Sequence, residues 1–204
     1  FEKLALTGEG DKKLLAEIER DKKRVKLTEP LSCRRAAAGD IDAIMAMVAD
    51  ARRSLSRHGV DQWQGEYPAR EVFSADIERG ECFIALHGEE PAAFFVLSVE
   101  DEPCYAEISD GKWTQGLACC VLHRSAVAAK YRGSGMARFM MSCAEERARA
   151  LSRRCIRTDT HKKNKPMQEL LRESGYRYRG NIRISAEPGH DSARQAFEKI
   201  LKNR

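Results

Sequence analysis

The chain has 204 residues, 42% hydrophobic and 33% charged, which is enough for one packed domain with a well-solvated surface. Lys and Arg number 36 against 31 Asp and Glu, and the net charge of +5 suits an anionic ligand but is too slight to argue for nucleic acid. Seven cysteines, an odd number with no Cys-x-x-Cys, fit neither a disulfide framework nor a zinc site. No apolar run approaches the ~20 residues of a membrane span, and no signal-peptide pattern opens the chain. The expectation is a cytoplasmic protein with reduced thiols, no metal and no membrane partner.

Residues 1–30 stand apart. Lys12 to Lys26 is dense in charge, with Leu14, Leu15, Ile18 and Val25 as a thin apolar stripe, and predicts a surface helix ending before Pro30. The domain proper is expected over 31–204. Ser32 to Ala36 suits a short edge strand. Asp40 is placed to cap a helix with Ile41, Ile44, Met45, Val48, Ala51 and Leu55 on one face. The loop that follows carries Gln62, Trp63, Gln64 and Tyr67, aromatics with amide donors of the kind that line a small-molecule pocket, although Trp63 could equally plug the core. A second helix is predicted over about Ala69 to Arg79.

Cys82–His87 and Pro91–Ser98 are apolar runs joined by Gly88-Glu89-Glu90, the pattern of an antiparallel hairpin. Residues 99–116 are polar and irregular, and a loop of that length either covers a functional mouth or merely joins strands. Ala118 to Val127 reads as a buried strand. It leads into Arg132-Gly133-Ser134-Gly135-Met136-Ala137, and then into helical spacing at Met140, Met141, Ala144, Ala148 and Leu151. Strand, glycine turn and helix start form a site for an anion. Glycine admits close backbone approach, and the free N–H groups of the first turn carry the positive end of the helix dipole. The spacing is neither Gly-x-Gly-x-x-Gly nor a P-loop.

Arg153 to Asp159 predicts another strand, and Asn164 precedes a helix with Pro166 in its first turn and Gly175 beyond its end. Tyr176 to Ile184 follows as a strand, with Gly180 at a bulge. Arg194 to Leu201 has helical periodicity. The arginines from Arg147 to Arg157 read as a solvated helix face with Glu145–Arg149 pairing, in preference to a nucleic-acid surface, because no aromatic residues are interleaved with them.

The order strand, two helices, three strands, helix, strand, helix, then one or two strands predicts a mixed sheet with helices on both faces. That order, the Arg-Gly-x-Gly-x-Ala turn, the Asp159-Thr-His161…Asn164-x-Pro-Met segment with Gly175-Tyr176, and the Asp61-Gln-Trp-Gln loop resemble the GNAT N-acetyltransferases over about residues 31–203, in particular a bacterial small-substrate subgroup. The resemblance implies an α/β fold with a mixed, mostly antiparallel sheet, and makes Arg194 to Leu201 a final strand.

The resemblance also implies function. An acyl group would pass from acetyl-CoA, the cosubstrate, to an amine. Backbone near Val127 would meet the pantetheine arm and polarise the carbonyl. Arg132, Gly133, Ser134, Gly135, Met136 and Ala137 would hold the diphosphate, and Asn164 would sit near the thioester, unless it serves only as a helix cap. His123 is the candidate base. Strict alternation places it on one face with Val121, Ser125 and Val127, and the alternative is a structural histidine. Where many relatives carry a tyrosine that protonates the leaving thiolate, this chain has Leu171. The expected partner is a small amine or amino-acid-like molecule. A peptide or protein acceptor, a non-catalytic CoA-binding module and a homodimer stay open.

Overall fold

The computed structural model describes residues 25–100, 102–184 and 191–202. In chain order the elements are β1 (Leu31–Arg35), α1 (Ile41–Arg57), α2 (Arg70–Glu78), β2 (Cys82–His87), β3 (Glu90–Ser98), β4 (Cys119–Val127), α3 (Met136–Ala150), β5 (Cys155–His161), α4 (Lys165–Glu173), β6 (Arg177–Arg183) and β7 (Ala193–Ile200). The strands form one seven-stranded sheet in the order β1-β2-β3-β4-β5-β7-β6, antiparallel throughout except for the β4–β5 pair. The final segment is a strand. Its pairing with both β5 and β6 outweighs a helical periodicity that would have left two neighbours without a partner.

Helices cover both faces. Phe95, Leu97, Cys120 and Leu122 of the sheet pack with Met136, Met140, Met141, Ala144 and Ala148 of α3 and Leu171 of α4. On the other face Ile84, Phe94 and Val96 meet Ile44, Met47 and Val48 of α1 and Phe73 of α2. Leu151, expected at the end of the α3 stripe, lies past the last turn and is exposed. Asp40 departs from its expected role. Its carboxylate accepts from Arg34 at 2.6 and 2.8 Å and from the Ala37 amide at 2.7 Å, and makes no capping bond to α1.

The irregular segment after β3 has a core of its own. Tyr105 and Trp113 are buried with Val121, Ile182 and Ala196, and the Trp113 indole donates to the Tyr105 carbonyl at 2.8 Å. A Cβ on Gly111 would lie 1.8 Å from the Arg179 carbonyl oxygen, so only glycine permits this backbone to cross β6 so closely. The bulge expected at Gly180 is present, with a register shift between Tyr178 and Gly180.

Residues 1–24 of the expected N-terminal helix lie outside the described residues. Residues 25–30 are not helical, and Val25 and Leu27 pack against the α3-side core. Among the described residues no helix is long and apolar enough to cross a membrane. None of the seven cysteines is in a disulfide.

Candidate active site

Two irregularities in β4 shape the site. The first is its pairing with β5, which covers only Cys119–Val121 against Cys155–Arg157. From Leu122 onward the two strands diverge and no ladder joins them. Ala128 donates to the Ala92 carbonyl at 2.9 Å. N–H groups of alternate residues point to the same side of a strand, so the Val127 N–H turns away from β3 into the gap. A buried slot with an unpaired donor is what a linear amide-bearing chain can enter.

The second is a bulge. Between the pairs Phe94–Ala126 and Val96–His123, β4 contains one residue more than β3. Arg124 takes a left-handed φ of 35° there. The extra residue inverts the alternation. Val121 packs with Tyr105 and Trp113, whereas Val127 packs with the α3-side core. The expected common face for Val121, His123 and Val127 is therefore broken at Arg124, and His123 keeps the side of Val121. Arg124 swings to α2, where its guanidinium donates to both oxygens of Asp76 at 2.9 Å and to the Tyr67 hydroxyl at 2.9 Å.

Beyond β4 the chain makes the glycine turn. Gly133 and Gly135 have φ of 78° and 101°, and Gly135 stands at the N-cap of α3 with no side-chain cap. Ser134 donates its hydroxyl to the Tyr131 carbonyl at 2.6 Å and accepts from the Met136 amide at 3.3 Å. Among the described residues the amides of Gly133, Gly135, Ala137 and Arg138 have no backbone acceptor. A Cβ on Gly135 would meet nothing nearer than Leu27 at 4.0 Å. The bend is open, donor-rich and at the positive end of a 15-residue helix, which fits a diphosphate.

A cavity of about 670 Å³ takes in the β4–β5 gap and reaches the glycine turn at Arg132, while Gly133, Ser134, Gly135, Met136 and Ala137 lie outside its lining. Val127, Arg132 and Asn164 border it on the side of the β4–β5 gap, Gln62, Trp63, Gln64 and Tyr67 border it from the loop, and His123 and Glu102 line it as well. Arg52 holds that loop by donating to the carbonyls of Glu66 and Pro68 at 3.0 and 3.2 Å. Gln64 spends its amide on the Arg52 and Gln62 carbonyls. Trp63 both packs against the α1-side core and lines the cavity, so the two expected roles coexist. Asn164 likewise caps α4 by accepting from the Met167 amide at 3.3 Å, which leaves its NH₂ group for the cavity.

His123 lies 3.6 Å through Nε2 from Glu102. Burial, and then the neighbouring Arg124 charge, push its pKa down to about 4, so the ring is neutral at physiological pH and a weaker base than an exposed histidine. Asp159 is the reverse case. It is half-buried, accepts from the Tyr105 hydroxyl at 2.8 Å, and its desolvation raises its pKa. Leu171 is fully buried and has no ionisable group, and the buried Tyr176 hydroxyl has no hydrogen-bond partner among the described residues.

Sequence reading missed Asp76, Glu102 and Arg194. Asp76 sits on the inward face of an otherwise apolar α2, and an acid at a core position with an arginine elsewhere to neutralise it is a signal that spacing could have offered. Glu102 and Arg194 have none, since each reaches the cavity through loop and hairpin geometry.

A family model described as "Acetyltransferase (GNAT) family" matches residues 46–176. A GNAT-family acetyltransferase from Streptococcus agalactiae 2603 is 30% identical, with 85% of this chain and 96% of that one covered at a TM-score of 0.76. This chain belongs to the GNAT acetyltransferase family. It is an N-acyltransferase, and the sheet described above is the GNAT fold. A GNAT-family acetyltransferase from Listeria monocytogenes 4b F2365 shares the fold at 20% identity, covering 84% and 95% of the two chains with a TM-score of 0.60. So does yncA from Salmonella typhimurium, whose structure contains its cofactor acetyl-CoA, at 12% identity, 85% and 95% coverage and a TM-score of 0.59. No curated protein sequence matches this GNAT chain.

Proposed function

We propose that this GNAT enzyme transfers the acetyl group of acetyl-CoA to the amine of a small molecule in the cytosol. One observation carries the reading: a single cavity runs from Arg132, at the entry to the glycine turn, past Val127 in the β4–β5 gap to the aromatic loop at Trp63 and Tyr67. Bound acetyl-CoA supplies an activated acyl thioester. In the bend from Arg132 to Ala137 the amides left without a backbone acceptor, those of Gly133, Gly135 and Ala137, would grip its diphosphate together with that of Arg138, and Asn164 would flank its thioester end.

The Val127 N–H donates to the carbonyl oxygen as negative charge grows there. The ammonium first loses one proton to solvent, and the neutral amine nitrogen then forms the new C–N bond while the C–S bond breaks. His123 takes the amine proton on Nε2, directly or through water, once bond formation has made that nitrogen acidic, and Glu102 stabilises the resulting imidazolium. Leu171 offers no proton, so the sulfur leaves as thiolate, which a thiol pKa of about 8.5 allows.

Free-thiol release from acetyl-CoA against a panel of amines tests the proposal, with calorimetry of coenzyme A binding alongside. Turnover of small amines supports it. Tight binding with no release for any amine would favour a CoA-sensing module, and release only with peptides would favour a protein acetyltransferase.

A further inference from the structure

We propose that the acceptor is a diamine or similarly dicationic amine, one nitrogen reacting near His123 and the second cation held by Asp61 at the loop end of the cavity. The inference rests on the transfer reading above and narrows it. Its basis is a charge imbalance in the cavity wall. Asp61, Glu102 and Asp159 line the acceptor end, and the cations there are Arg124 and Arg194. Arg124 is spent on Asp76, which is fully buried. Arg194 is 4% exposed and lies in the fields of Asp159, Asp61 and Asp191 at once. Lys162 balances Asp191 at 3.1 Å. With Arg124 so paired and Arg132 at the opposite end, the acceptor end keeps more carboxylate than cation, a surplus that an anionic tail would meet with repulsion.

The acids also sit apart in the fold. Glu102 stands over β4 beside His123, whereas Asp61 is tied to the β5 and β7 ends. Asp61 Oδ2 accepts from the Asp191 amide at 2.7 Å. Asp61 Oδ1 is buried without a hydrogen bond. Its polar neighbour is His161 Nε2 at 3.4 Å, which faces Asp191 Oδ2 at the same distance. The Lys163 amide donates to His161 Nδ1 at 3.1 Å, so the neutral ring carries its proton on Nε2 and contributes no charge. Gln62 Oε1, the adjacent residue's acceptor, is likewise buried and unpartnered. Two acceptors without a hydrogen bond, on consecutive residues that both line an electronegative cavity, call for a donor-rich cationic group. Arg194 Nε is an idle donor in the same wall, and makes a carboxylate tail the rival.

Three four-carbon acceptors separate the readings: 1,4-diaminobutane, n-butylamine and 4-aminobutanoate. Each is titrated calorimetrically into the full chain saturated with coenzyme A, and assayed for thiol release. The expected result is at least tenfold tighter binding and higher kcat/KM for the diamine than for butylamine, with 4-aminobutanoate weakest. Asp61→Asn keeps an acceptor for the Asp191 amide but loses the charge, and should bring the diamine-to-butylamine ratio to within about threefold of one. A diamine that binds no better than butylamine, or a preference for 4-aminobutanoate, overturns the inference. A diamine that binds through Asp61 yet releases no thiol overturns the transfer reading instead.

Discussion

Arg124 and Asp76 form a two-pronged ion pair, both bonds 2.9 Å, between the bulge of β4 and the inward face of α2. Asp76 is fully buried, and Arg79 also reaches it at 2.5 Å. The pair anchors the one residue of β4 with a left-handed backbone and so fixes which face His123 takes. Removing one partner of a buried pair strands the other charge, typically at 3–5 kcal/mol. Because Arg79 remains, Arg124→Ala should cost about 3 kcal/mol, or roughly 6–12 °C in Tm for a chain of this size. Thermal unfolding checks this, and a loss under ~1 kcal/mol would mean that the pair does not hold the bulge.

The depressed pKa of His123 makes stability pH-dependent. The folded ring binds its proton near pH 4, whereas the ordinary value is 6.5. Between those values the unfolded chain holds more protons, so acid favours unfolding. The loss begins below about pH 6.5, grows down to about pH 4 and then levels, at about 3 kcal/mol at most. His123→Asn should flatten that part of a denaturation-versus-pH curve. It should also lower kcat by about 10²-fold, the low end for general bases, since a weak base transfers protons less well. An acid limb in kcat/KM near pH 6.5 that vanishes in the variant would contradict the assigned pKa.

Gly135→Ala places a side chain at φ of 101°, in the left-handed region. The backbone strain is expected to cost about 1–2 kcal/mol. Coenzyme A affinity should fall at least tenfold in calorimetry, because the first-turn amides of α3 shift. An unchanged affinity would move the diphosphate elsewhere.

Asn164 has two separable roles. Asn164→Asp keeps the cap on α4, while Asn164→Ala loses it for about 1 kcal/mol. If the side-chain NH₂ also meets the cofactor, both variants should raise KM for acetyl-CoA while only the alanine lowers Tm. Equal KM values in Asn164→Asp and the parent would leave capping as the sole role.

Gly111→Ala should loosen the segment that carries Glu102. The new methyl would fall 1.8 Å from the Arg179 carbonyl oxygen, so backbone must move, at a cost near the upper end of the about 1–3 kcal/mol range for overpacking. Hydrogen exchange should speed up over residues 102–116 and leave α3 unchanged.

Much of the fold was legible because local chemistry repeats. Continuous apolar runs marked β2, β3 and β4, helical spacing marked α1 and α3, and Pro166 and Gly175 bracketed α4. The glycine turn was legible for the same reason, since left-handed backbone and open first-turn amides are properties of a few adjacent residues. Arg194 to Leu201 shows the limit: periodicity alone pointed to a helix, and two strand partners distant in sequence made it β7.

Near neighbours in the chain suffice for the order of elements as far as β6, for the anion-binding bend and for the presence of His123 on the strand before it. Only the tertiary structure decided what surrounds His123. The β4 bulge, the Arg124–Asp76 pair, the approach of Glu102 and the carboxylate-rich wall built by Asp61 and Asp159 all join residues far apart in sequence. Their distances, and the burial that drives His123 to a pKa near 4, exist only once the sheet has closed around them.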